Sequence, residues 1–162
     1  VVMPMSISTV LILAALAFLA VRALFREKVA ERSSSNPYIR YVNQVVATLD
    51  ELEDSCPSVV WYDLRQDSIN VLNADRKRTV EYFERKKCKP SEWAITSVFN
   101  RCGDCLESGQ YHLYRGVLNT EGQEYLKVYQ FLESQLLNRG IATQEWLDKN
   151  RSILFSNINS VG

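Results

Sequence analysis

The chain lacks net charge: nineteen lysines and arginines balance nineteen aspartates and glutamates. A neutral balance gives no general attraction to nucleic acid, whose phosphates favour a basic surface, and no broad pull toward anionic lipid. It has one histidine, His112. A hydrolase triad needs a base beside a nucleophile and an orienting acid, and no motif pairs His112 with a serine. A hydrogen-bonded histidine in an aromatic loop is the simpler reading. The Glu-x-x-His pattern of a carboxylate metal bundle is missing. Gly116 and Gly122 are six residues apart, but no Lys-Ser/Thr follows, so there is no phosphate loop. Internal repeats and long disordered tracts are absent too. No charged residue occurs before Arg22.

That last absence marks the strongest feature present. Hydrophobic residues make up 46% of the chain, an ordinary globular fraction, but they are dense at the start. Residues 7–21 contain only Ser8 and Thr9 as polar side chains, and Ala23, Leu24 and Phe25 follow Arg22. A helix of roughly 20 residues crosses the hydrocarbon layer. Residues 5–25 meet this length if Arg22 lies near the end, its stem along the lipid and its guanidinium among headgroups. Pro4 precedes the span, where its missing N–H does no harm. Two alternatives stay open. Buried globular helices rarely run this long without a polar face. A cleaved signal peptide would find small residues around Val21-Arg22-Ala23, but the basic leader is missing.

Flanking charge sets the expected orientation. Arg22, Arg26, Lys28, Arg32 and Arg40 follow the span, opposed only by Glu27 and Glu31. The positive-inside rule therefore puts the C-terminal domain in the cytoplasm, or in the matrix if the membrane is mitochondrial. Val1 and Val2 precede Met3, and an unseen basic leader ahead of them would weaken that orientation.

The expected organisation is an anchor with its helical extension over residues 1–32, a polar hinge over 33–36, and a helical water-soluble domain over 37–162. Asn36-Pro37 is a good helix start. Apolar residues at three- and four-residue steps predict an amphipathic helix over 37–54, ended by Cys56-Pro57. Residues 58–64 fit either a short strand or a helical turn. Residues 69–87 read as one helix, carrying basic Arg76, Lys77, Arg78, Arg85, Lys86 and Lys87; a solvated face explains these better than nucleic-acid binding. A helix opening at Lys89-Pro90 should be weakened or ended by Gly103. An aromatic connection spans 109–116. Thr120 and Gln123 fit a capping box, and Asn138-Arg139-Gly140 a C-terminal stop. Thr143 can cap a last helix, so the final two helices should form an antiparallel hairpin. Its Leu132 and Leu136 should meet Trp146, Leu147 or Leu154. The seventeen aromatics lie mostly at helical spacing, which suits core packing rather than base stacking.

The cysteines are Cys56, Cys88, Cys102 and Cys105. Only Cys102-x-x-Cys105 is a tight pair. A structural zinc site needs about four ligands, which all four cysteines, or three of them with His112, could supply by Cys56, Cys88 or His112 joining that pair; strong zinc signatures have two close pairs. A redox dithiol has this spacing, but no βαβ pattern surrounds it. Reduced structural thiols, or disulfides if the domain lies outside, complete the alternatives.

The fold expected is all-α: one transmembrane helix, then a small helical domain ending in a hairpin. The function expected is a non-catalytic interaction or accessory subunit of a membrane complex, with no cofactor. Its partners would be the membrane and other proteins of the complex; nucleic acid is not expected, and no small-molecule substrate is identified. The alternative is a thiol or zinc-dependent protein using Cys102 and Cys105.

Overall fold

Seven helices and no strand make up the described residues of the computed structural model: α1 (Ile7–Ser33), α2 (Pro37–Ser55), α3 (Trp61–Ala74), α4 (Arg76–Lys86), α5 (Pro90–Glu107), α6 (Thr120–Asn138) and α7 (Gln144–Phe155). Residues 6–33, 35–86, 88–113, 117–156 and 158 are described, and the side chains of α1 only as far as Arg22. Pro4 and Met5, Ser34 of the hinge, Lys87 of the basic run and residues 114–116 of the aromatic connection lie outside them. The chain divides into two compact units, Val1–Arg40 and Tyr41–Gly162.

Among the described residues no helix is long and apolar enough to cross a membrane. The described apolar side chains of α1 cover residues 7–21, which at 1.5 Å per residue is about 22 Å, short of the roughly 30 Å of a hydrocarbon core. Ala23, Leu24 and Phe25, which would complete a span, lie beyond the described side chains, although the α1 backbone stays helical to Ser33.

In the second unit the core lies between α5 and its neighbours. The most extensive helix interface is α5 on α6, followed by α3 on α5. Ile95, Val98, Cys102 and Leu106 of α5 are completely buried, as are Val128 and Leu132 of α6. The Phe99 and Tyr129 rings stack at 4.6 Å across this interface. α2 begins as the sequence suggests: Asn36 accepts from the Tyr38 amide at 3.0 Å, and Pro37 takes the first helical position. Residues 58–64 resolve as a turn leading into α3. Trp61, buried to 1% exposure, donates its indole N–H to the Cys56 carbonyl at 2.6 Å and so ties α3 to the end of α2.

Three expectations need correction. Residues 69–87 are not one helix. Asp75 is extended, with φ −150° and ψ 97°, and its carboxylate accepts from the Arg78 amide at 3.0 Å. It therefore caps α4 instead of continuing α3, and Thr79 donates back to the Leu72 carbonyl at 2.9 Å. Gly103 does not end α5, which runs on to Glu107. The helix cost of a glycine, about 1 kcal/mol, is outweighed by packing against α6, where a methyl at Gly103 would lie 3.8 Å from the Tyr129 ring.

The third concerns the start of α6. Asn119, not Thr120, is the N-cap, accepting from the Gly122 amide at 2.8 Å. Gln123 donates to the Leu118 carbonyl at 3.4 Å. Asn119→Ala should therefore cost about 0.5–2 kcal/mol, while Thr120→Ala should leave chemical denaturation nearly unchanged. The opposite ranking would restore the Thr120 cap.

The C-terminal pair keeps its short link. Gly140 is left-handed, with φ +68°, and the Ile141 amide returns to the Leu136 carbonyl at 2.9 Å. Thr143 caps α7 by accepting from the Trp146 amide at 3.2 Å. α7, however, is seated on α5 more closely than on α6. Leu132, Leu136, Leu147 and Leu154 share the core cluster. Trp146 sits at its edge, 41% exposed, against Phe99 of α5 at 5.8 Å.

Candidate functional site

Two regions offer chemistry or contact: the surface of α1, and the α5 face that carries the cysteine pair, with the grooves beside it. α1 starts at a hydroxyl cluster. Ser6 accepts from the Thr9 amide at 3.2 Å and its hydroxyl lies 2.7 Å from that of Thr9. The helix is thus capped by small side chains without charge. Every side chain from Ser6 to Arg22 is exposed. Nine of these are large apolar groups, from Val10 at 48% to Ile7 at 81% exposure. They lie on all sides of the helix, so residues 10–21 have no polar face to present to water.

Cys102 and Cys105 stand one turn apart within α5, close to its C-terminus and facing the core. Cys102 is fully buried and Cys105 nearly so. All four cysteines are unbridged. Burial pushes each thiol up from its ordinary value. For Cys102 the neighbouring thiols of Cys105 and Cys56 add to this, and for Cys105 Arg101 opposes it. An activated dithiol has the reverse features, a helix N-terminus or adjacent cation and a lowered thiol pKa. Cys88 lies apart, beside Tyr82 and Glu92. His112 donates from Nε2 to the Leu106 carbonyl at 2.7 Å, which engages one of its two ligating nitrogens. Among the described residues no three His, Cys, Asp or Glu side chains are arranged to hold a metal ion. The pair is brought together, but Cys88 and His112 do not join it.

At neutral pH an alkylating reagent should therefore modify half-buried Cys56 and Cys88 well before Cys102, and all rates should rise with pH. Rapid modification of native Cys102 would contradict its burial. Folding also holds these thiols protonated. Their contribution to stability is full below the ordinary thiol value of 9.0 and is lost as pH rises above it.

Two connected grooves flank the other side of α5. A polar one of about 660 Å³ runs between α3 and α5, where Arg101 donates to Asp67 at 2.8 Å. An apolar groove of about 270 Å³ continues over Leu72, Phe83 and Trp93 to α4. Asp67 and Arg101 are 34 residues apart, so no local motif announces them. A third apolar hollow of about 300 Å³ is lined by Thr96, Leu136, Ile141 and Trp146. No known protein family, curated protein or solved structure matches the chain.

Proposed function

We propose that the chain is a single-pass membrane protein whose helical unit serves as a non-catalytic interaction or accessory subunit of a larger membrane complex. The observation that carries this proposal is the surface of α1, apolar and exposed on every side. Covering one large apolar side chain is worth about 1.5–3 kcal/mol. At 48–81% exposure, nine of them come to the order of 8–16 kcal/mol, comparable with the roughly 5–15 kcal/mol that holds a small domain folded. A bilayer removes that exposure without altering the helix. The backbone is helical throughout residues 7–25, about 28 Å at 1.5 Å per residue, close to the roughly 30 Å hydrocarbon thickness.

Lysines and arginines cluster after the span, so the helical unit belongs on the cytoplasmic side, or on the matrix side of a mitochondrial membrane. Cys88, only half-buried, is the thiol to test this. A membrane-impermeant maleimide should label it only after permeabilisation. A tethered unit needs only a weak contact face, because anchoring raises its effective concentration beside membrane partners. Exposed Trp146 and the hollow next to it suit such a face. The test is purification from native membranes in mild detergent: a defined partner should be retained, and Trp146→Ala should weaken its retention. A chain that leaves the membrane alone, with no stoichiometric partner at any detergent strength, would overturn the accessory role.

A further inference from the structure

Positive charge in the second unit is concentrated in one place. Residues 75–89 hold seven of the fourteen lysines and arginines in residues 41–162, with three of the seventeen acids. The other 107 residues carry seven cations against fourteen acids. Of those seven cations, five are matched with acids among the described residues: Arg65 with Asp50, Arg101 with Asp67, Lys127 with Glu124, Arg139 with Glu51 and Arg151 with Glu133. Lys77, Arg78, Arg85 and Lys86 of α4 take part in none of these pairs, and all four are exposed. Of the three acids nearby, Asp75 is occupied in capping α4, which leaves Glu81 and Glu84 to dilute the patch.

The side chains are arranged along the helix. Thr79 and Phe83 are buried, and Arg78, Tyr82 and Arg85 follow one another at i, i+4 and i+7 along an exposed side. Tyr82 is 39% exposed, and Val71, across the apolar groove, is 62% exposed. A cationic helix edged by a tyrosine and an aliphatic tip matches the interface between headgroups and acyl chains. Net charge is a poor guide here. At about 0.15 M salt a charged surface is felt over about 8 Å, so a headgroup layer meets this patch and not the chain's zero total.

We infer that α4, with Val71 and Tyr82, is a docking surface for the headgroups of anionic phospholipids. This rests on the anchor proposal: tethering raises the effective concentration of the second unit beside the bilayer, and the positive-inside orientation puts that unit on the side of the anionic leaflet. Nucleic acid is the competing polyanion, and the tether gives lipid the higher effective concentration.

The experiment uses the full chain in lipid nanodiscs, either pure phosphatidylcholine or phosphatidylcholine with phosphatidylserine, each doped with a headgroup spin-labelled lipid. Backbone amide broadening is read residue by residue. In phosphatidylserine discs the amides of α4 and Val71 should broaden. That broadening should fade in pure phosphatidylcholine, at about 1 M salt where screening is confined to about 3 Å, and in Lys77→Gln/Arg78→Gln/Arg85→Gln, but not in Lys149→Gln. Incorporation into both discs with α4 indifferent to lipid charge would overturn this inference and leave the anchor standing. Failure to incorporate into either disc would overturn both. Salt-steep binding of a short DNA or RNA duplex at α4, with no response to either disc, would reassign the surface to nucleic acid.

Discussion

Trp61→Ala should lower the stability of the helical unit by about 3–5 kcal/mol, the largest loss expected from any one core truncation. Trp61 heads the fully buried side chains by size, so its removal leaves the largest void. Its indole N–H also occupies the Cys56 carbonyl at 2.6 Å, and that acceptor at the end of α2 would lose its partner. Such a loss is a large fraction of the roughly 5–15 kcal/mol available. The contrast is Trp146, equal in volume but 41% exposed and resting on Phe99 from one side. Trp146→Ala should cost roughly half as much or less, since the area removed from water is smaller. Urea unfolding of both variants checks the ranking. Equal losses would place Trp146 in the core after all.

Removal of residues 1–32 should move the chain from the membrane fraction to the soluble one and leave the helical unit folded. The core cluster and the half-buried side chains packed on it all come from residues 41–158, so the deletion removes none of them. What it does remove is the exposed apolar surface of α1, the main driving force for aggregation in water. The truncated chain should keep its helical circular dichroism and melt cooperatively. A truncated chain that is unfolded would mean that the first segment belongs to the core.

Much of the helical order is legible in the sequence because end signals are local. Asn36-Pro37, Cys56-Pro57, Gly140 and Thr143 each act on backbone groups within a turn of themselves, and each does so in the structure. The break at Asp75 is harder to read. One extended residue separates α3 from α4, and the buried positions around it include the polar Ser68 and Thr79, so apolar spacing alone runs the two helices together. Asn119 and Thr120 are adjacent cap formers, and local chemistry does not rank them. The approach of Tyr111 does: its carbonyl accepts from the Asn119 amide at 2.8 Å, which holds Asn119 just ahead of the helix. Gly103 reads as a helix end only while its neighbour Tyr129, 26 residues on, is out of view. The cysteine pair is visible as spacing, but the burial that keeps its thiols protonated comes from tertiary packing. The ion pair of Asp67 with Arg101 is likewise long-range.

The most direct measurement of the anchoring role is alkaline carbonate extraction of membranes that contain the full chain. Carbonate strips proteins held by surface charge and leaves those threaded through the hydrocarbon layer. If α1 spans the bilayer, the full chain stays in the lipid pellet while the chain lacking residues 1–32 is recovered in the supernatant. Recovery of folded full chain in the supernatant would contradict it, because α1 would then be covered by protein and not by lipid.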